Sequence, residues 1–182
     1  MYHISPDKRS YESSAMIYDA LAELMKEKEY SKIKTNELCE KAKLGRVTFY
    51  RHYDAIDDVL KKKLDDMLLE FKDYYAEFKQ LFPDHPGLFL PLLRFFYVHP
   101  AIVHLIFQSR QLYIMKESMY EFFRAFDQHH NCIHNDYLVT IRVSVFVGIL
   151  EKWSADGMNI LPDDLVRTIR QDMLTIAMER MK

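Results

Sequence analysis

Glycine and proline are scarce in this 182-residue chain, at four and six residues. With so few breakers, and with Leu, Met, Lys, Glu and Ala plentiful, the composition favours helix nearly throughout. The two cysteines, Cys39 and Cys132, lie far apart without CxxC spacing, so neither a disulfide framework nor a zinc site is indicated. Glycine-rich phosphate loops, HExxH and a Ser-His-Asp order are also missing, and no enzyme is expected. His130 and His134 are four apart, but no Glu or Cys completes a metal-ligand set at helical spacing, so neither metal nor cofactor is expected. The most apolar stretch, residues 86–107, is interrupted by Pro91, Arg94, His99, Pro100 and His104. That pattern fits a buried helical hairpin better than a membrane span. Without a signal peptide, the expected compartment is the cytoplasm.

Strong net charge is lacking too, since the chain carries only −2, but the charge is unevenly spread. Residues 31–53 hold six basic side chains against Glu37 and Glu40, whereas residues 64–182 hold 12 basic and 16 acidic ones. A basic head on an acidic body suits a phosphate-binding surface joined to a part with another task.

Within that basic segment, Thr35–Tyr53 (TNELCEKAKLGRVTFYRHY) has the layout of a helix-turn-helix. Thr35 is placed to cap a helix to about Ala42, with Leu38, Cys39 and Ala42 facing inward. Lys43-Leu44-Gly45 supplies a tight turn, and Arg46–His52 a second helix of barely two turns. A helix that short, carrying Arg46, Thr48, Tyr50, Arg51 and His52, is a poor core element. As a probe for a DNA major groove it makes sense, because Arg reads guanine and Thr can touch a thymine methyl.

The remaining pattern completes an all-α chain. A short mobile arm (residues 1–8) precedes a helix from about Arg9 to Lys28, whose apolar positions, with Tyr30, Ile33, Phe49 and Tyr53, close a small three-helix core. A long helix follows from about Ala55 to Leu81, with Asp54 as its cap and Leu60, Leu64, Met67, Leu68, Phe71, Tyr75 and Phe78 recurring at threes and fours. Lys61-Lys62-Lys63 on it reads as a solvated face. Five more helices are predicted: 86–99, 100–108, 111–130, 136–156 (closed by Gly157) and 162–180 (with Pro162 in its first turn). The predicted division is a DNA-binding head, residues 1–53, and a six-helix C-terminal domain, residues 54–182.

A helix, a capped second helix, a turn and a recognition helix of the form x-V-T-F-Y-R-H-Y resemble the tetracycline-repressor (TetR) family of bacterial transcription regulators. The resemblance is most specific over about Met16–Leu60, above all at Thr48-Phe49-Tyr50-Arg51-His52-Tyr53. It implies an all-helical homodimer presenting two helix-turn-helix heads to a palindromic operator in double-stranded DNA. Its C-terminal domain would dimerise and often bind a small effector. Carried over by position, Thr35 would bond a phosphate, Arg46 and Thr48 would face base edges, and Tyr50 and His52 would hold backbone phosphates, with Lys43 and Arg51 on the same surface. Two positions depart from the pattern. Gly45 stands where the family usually has Ser or Thr, and the acidic segment Asp54-Ala55-Ile56-Asp57-Asp58 stands where it tends to place lysine. Three carboxylates beside a DNA backbone repel it, so a protein-interaction regulator with weakened DNA binding is the alternative reading.

Residues 64–130 contain 15 of the 25 aromatic residues. A cavity lined by such rings with a few phenols and histidines would suit a small, mostly apolar effector; Phe71, Tyr75, Phe78, Phe96, His104, Tyr113 and Phe123 are its expected lining. For dimerisation, Ile141, Val145, Gly148, Ile149 and Trp153 share one face of the penultimate helix, and Ile169, Met173 and Ile176 one face of the last. A mid-helix glycine costs about 1 kcal/mol relative to alanine and marks close helix approach, so the two helices are expected to form a four-helix interface with a second copy.

Overall fold

The computed structural model describes residues 1–5, 7–85, 87–129 and 135–179, the last eight as helix path alone. Among these residues the chain is all helical: α1 (Lys8–Glu27), a 3-10 turn (Tyr30–Lys32), α2 (Thr35–Lys41), α3 (Arg46–His52), α4 (Asp57–Leu81), α5 (Phe89–Val98), α6 (Pro100–Ser109), α7 (Leu112–His129), α8 (Asp136–Ala155) and α9 (Pro162–Glu179). Helices α1 and α4 follow the apolar periodicity of the sequence most closely. Helix α1 buries Ile17, Ala20, Leu21, Leu24 and Met25 on one side, and these meet Leu38 and Cys39 of α2 and Phe49 of α3 in one continuous core.

Helix α4 joins this unit to the rest. Its buried side, Val59, Leu60, Leu64, Met67, Leu68 and Phe71, packs against α1, α5, α6 and α7. Helices α5 and α6 bend by 90° at His99, where Pro100 can start a helix but cannot continue one. No single helix among the described residues is long and apolar enough to cross a membrane. Phe71 is a hub, with ring centroids 5.4 Å from Phe95, 5.5 Å from Phe122 and 5.8 Å from Tyr75. Edge-on and offset ring pairs of this kind add to the gain from burial.

The ends of the helices differ from the sequence expectation in several ways. Thr35 is the first residue of α2 rather than its cap; Lys34 holds the cap position and no side chain caps that end. Asp7 caps α1, accepting from the Ser10 amide at 3.0 Å. Asp54 does not cap α4, whose cap position is Ile56. Instead the Asp58 carboxylate reaches back to the amides of Asp54 and Ala55, at 3.0 and 2.9 Å, and pins the chain that leads into the helix. The arm expected to be mobile is docked: Tyr2 pairs with Tyr53, and the His3 amide donates to the His52 carbonyl at 2.7 Å. The lysine run is likewise not a solvated face. Lys61 reaches Asp65 and Glu121, each at 3.2 Å, Lys62 is buried against Asp66 and between the rings of Tyr2 and Tyr11, and Lys63 sits over Tyr18.

Candidate nucleic-acid interface

Helix α3 is held from behind. Phe49 and Tyr53 are fully buried, and the Tyr53 hydroxyl shares a hydrogen bond of 2.5 Å with Ser14 of α1. Burial raises the Tyr53 phenol to about 12, so it stays protonated. With its inner side fixed, α3 turns Arg46, Val47, Tyr50 and Arg51 outward, while Thr48 is half-buried at the edge. The Arg46 guanidinium rests over the Tyr50 ring at 5.8 Å, parked one helical turn along its own helix. Before α3, the left-handed residue of the turn is Lys43 (φ 55°), not Gly45, and Lys43 is exposed. Lys41 is paired with Glu27 at 2.8 Å and Lys28 with Glu37. Lys43, Arg46 and Arg51 make no ion pair among the described residues and give this surface its positive charge.

One predicted contact residue is displaced from that surface. His52 is 1% exposed, and neither ring nitrogen has a hydrogen-bond partner among the described residues. It lies on the inner side of α3 with Phe49, so it cannot reach a phosphate. Thr35, Lys43, Arg46, Thr48, Tyr50 and Arg51 remain at or near the surface. Burial, helped by the neighbouring Arg51 and opposed by Asp7, holds the His52 imidazole below its ordinary value of 6.5. The unfolded chain therefore takes up a proton that the folded ring resists. Stability is fully present above pH 6.5 and falls as the pH drops from there toward the folded-state value. Thermal melts from pH 7.5 down to 5 should show this loss, and His52→Phe should remove the part due to this ring.

The acidic segment after α3 is turned to internal use. Asp54 accepts from or pairs with His3 at 3.2 Å, Asp58 serves the amides of Asp54 and Ala55, and Asp57 accepts hydrogen bonds from the hydroxyls of both Tyr30 and Tyr113. Tyr30 belongs to the turn between α1 and α2, and Tyr113 to the start of α7. Burial and the Asp57 carboxylate push both phenols well above the usual tyrosine range. A second tie across the same seam is the Gln108 amide donating to the Met25 carbonyl at 3.1 Å.

Residues 17–62, from within α1 into the opening turns of α4, match the family model for bacterial regulatory proteins of the tetR family. The chain carries a tetR-family domain. Solved structures extend the likeness of fold beyond that domain. Lin0861 from Listeria innocua is similar over 96% of both chains, with a TM-score of 0.81 at 19% identity. A transcriptional regulator of the TerR/AcrR family from Aquifex aeolicus is similar over 90% of this chain and 99% of its own, with a TM-score of 0.50 at 18% identity. No curated relative matches the chain in sequence. The fold is thus the all-helical one of tetR-family transcriptional regulators, with the tetR-family domain at its N-terminal side.

Outside the tetR-family domain, the predicted effector residues do not converge on one chamber. Phe71 and Tyr75 line a groove of about 520 Å³ between α4 and α7, with Lys72, Lys79, Phe122 and Phe126. Phe123 faces a separate cleft of about 500 Å³ beside Ile141 and Val145. Phe78 and Phe96 are packed in the interior. His104 faces Ser154 at 2.8 Å, and Tyr113 is committed to Asp57. The aromatic richness of this region is spent largely on ring-to-ring packing.

The expected dimer residues also divide. Ile141 and Val145 are 56% and 47% exposed, Gly148 is exposed and Ile149 half-buried, all on one side of α8. Trp153 instead turns into its own chain, stacked on Tyr97 at 5.7 Å with its indole N–H donating to the Ile160 carbonyl. Ile169 is half-buried, and the side chains of Met173 and Ile176 lie outside the described residues. Cys132, His130 and His134 lie outside them as well, and no group of His, Cys, Asp or Glu suited to a metal ion occurs among those that are described.

Proposed function

We propose that this chain is a homodimeric, cytoplasmic DNA-binding transcription regulator, a repressor whose grip on a palindromic operator is relieved by a small, mostly apolar effector. Residues 1–53 act as the DNA-binding head and residues 54–182 as the dimerisation and effector domain. The observation that carries the reading is the outer side of α3: Arg46 and Arg51, with Tyr50 between them in sequence, make no ion pair among the described residues, on a short helix braced from behind by Phe49 and Tyr53. In the major groove, Arg46 leaves the Tyr50 ring for a guanine edge, while Tyr50, Lys43 and Thr35 position the head on phosphates. The groove beside Phe71 and Tyr75 offers the effector an apolar floor with Lys72 and Lys79 at its margin. The partner-binding alternative drew its support from the three carboxylates after α3. Those carboxylates are occupied by His3, by backbone amides and by two phenols, which weakens the case for lost DNA binding.

The test is selection of duplexes from a random pool with the full chain, followed by titration of the enriched duplex across a salt series. Log affinity should fall linearly with log salt, as released counterions require. Arg46→Ala should cost about 1–3 kcal/mol on the enriched duplex and relax the preference at one base pair. Tyr50→Phe keeps the ring and removes only the hydroxyl, so it should weaken enriched and scrambled duplexes by similar factors. Equal losses on both duplexes for Arg46→Ala would take base reading away from Arg46.

A further inference from the structure

We propose that Val47 reads a thymine in each operator half-site through its 5-methyl group, an assignment that rests on the DNA-binding reading above. Val47 is 83% exposed, the most solvent-open of the large hydrophobic side chains among the described residues. Successive helix positions turn by about 100°, which places Val47 nearly opposite the midpoint between the buried Phe49 and His52. It therefore stands at the centre of the outward side of α3, with Arg46 and Tyr50 on one flank and Arg51 on the other. Thr48 lies past the edge of that side and is half-buried. Two residues before it, Gly45 carries no side chain, and a Cβ built there would meet nothing within 4 Å.

An isolated exposed valine is ordinary on a protein surface. At the centre of a cationic face on a recognition helix it has a specific use. The one apolar group on a base edge in the major groove is the thymine methyl. Valine suits that contact, because its β-branched side chain is held in one strongly preferred rotamer on a helix and needs little ordering on binding. Arg46 and Val47, adjacent in sequence and both on the outward side of α3, would then read a guanine and a thymine respectively. The thymine role that composition suggests for Thr48 passes to its neighbour.

The experiment starts from the duplex enriched with the full chain and replaces each thymine in turn by deoxyuridine, which deletes one methyl and preserves base pairing. Wild-type protein should lose about fourfold in affinity at one thymine per half-site, the worth of one buried carbon. Val47→Ala, at an exposed position that alanine fills without disturbing the core, should lose most of the uridine effect at that position while keeping its other base preferences. Thr48→Ala should retain the uridine sensitivity. A flat uridine scan with wild type, or a methyl effect that survives Val47→Ala and disappears in Thr48→Ala, overturns the assignment while leaving DNA binding in place. If no duplex is enriched at all, the DNA-binding reading fails and the Val47 assignment falls with it.

Discussion

Gly148→Leu is expected to reduce operator affinity by about 100-fold or more while leaving the single chain folded. A dimer engaging two half-sites gains about 10²–10⁴ over either head alone, and this substitution is aimed at that gain. A Cβ at Gly148 would meet nothing within 4 Å of its own chain, so the substitution introduces no clash within the monomer. Replacing a mid-helix glycine also removes a cost of about 1 kcal/mol, so thermal stability of the monomer should hold or rise. What the larger side chain would disturb is a neighbour from outside the chain, seated on the exposed side of α8 marked by Ile141 and Val145. Sedimentation should report monomer, and the double variant Ile141→Glu/Val145→Glu should behave alike. A Gly148→Leu protein that remains dimeric with unchanged DNA binding would place the interface elsewhere.

Asp57→Ala should destabilise the protein by about 2–3 kcal/mol and loosen the seam between the first three helices and α7. Hydrogen bonds to a charged group contribute about 1.5–3 kcal/mol each. Two converge on this carboxylate, but the Tyr113 end is half exposed to water and is discounted accordingly. For a chain of this size the loss corresponds to a melting temperature lower by about 5–10 °C. Because the two phenols share one acceptor, Tyr30→Phe and Tyr113→Phe should be non-additive in a double-mutant cycle. Losses within about 0.5 kcal/mol for Asp57→Ala, the range of ordinary surface substitutions, would show that the shared carboxylate holds nothing together.

The sequence was most legible where apolar residues repeat at helical spacing, as along α1 and α4, because burial dictates those positions. The recognition helix was found by its turn and its unusual polarity. The same polarity misled at His52: a helix of seven residues leaves too few positions to fix which polar side chain turns inward. Helix starts were misread for a related reason. Thr35 and Asp54 have good capping chemistry, but whether a side chain reaches the first-turn amides depends on the entering path of the chain, which at α4 is set by the Asp58 carboxylate reaching back to Asp54 and Ala55. Lys61, Lys62 and Lys63 looked solvated because three of their tyrosine neighbours, at 2, 11 and 18, lie far away in sequence. The expected effector residues scatter for a simpler reason, since a count of rings cannot say whether they enclose space or fill it. Val47, in contrast, was overlooked because exposure of an apolar residue is invisible in a pattern that expects apolar positions to be inside.

The 25 residues of α4 span about 37 Å, at about 1.5 Å each, and no proline or glycine interrupts them. From Tyr75 at the groove to Asp57 at the other end, the helix is a lever arm of about 27 Å. A wedge that swings the arm by about 4° at Tyr75 carries the Asp57 end through about 2 Å. The window between a sound hydrogen bond and none is well under 1 Å. On the proposed effector reading, an object no thicker than one aromatic ring, pressed between α4 and α7, would be large enough to lift α3 out of register with a base edge.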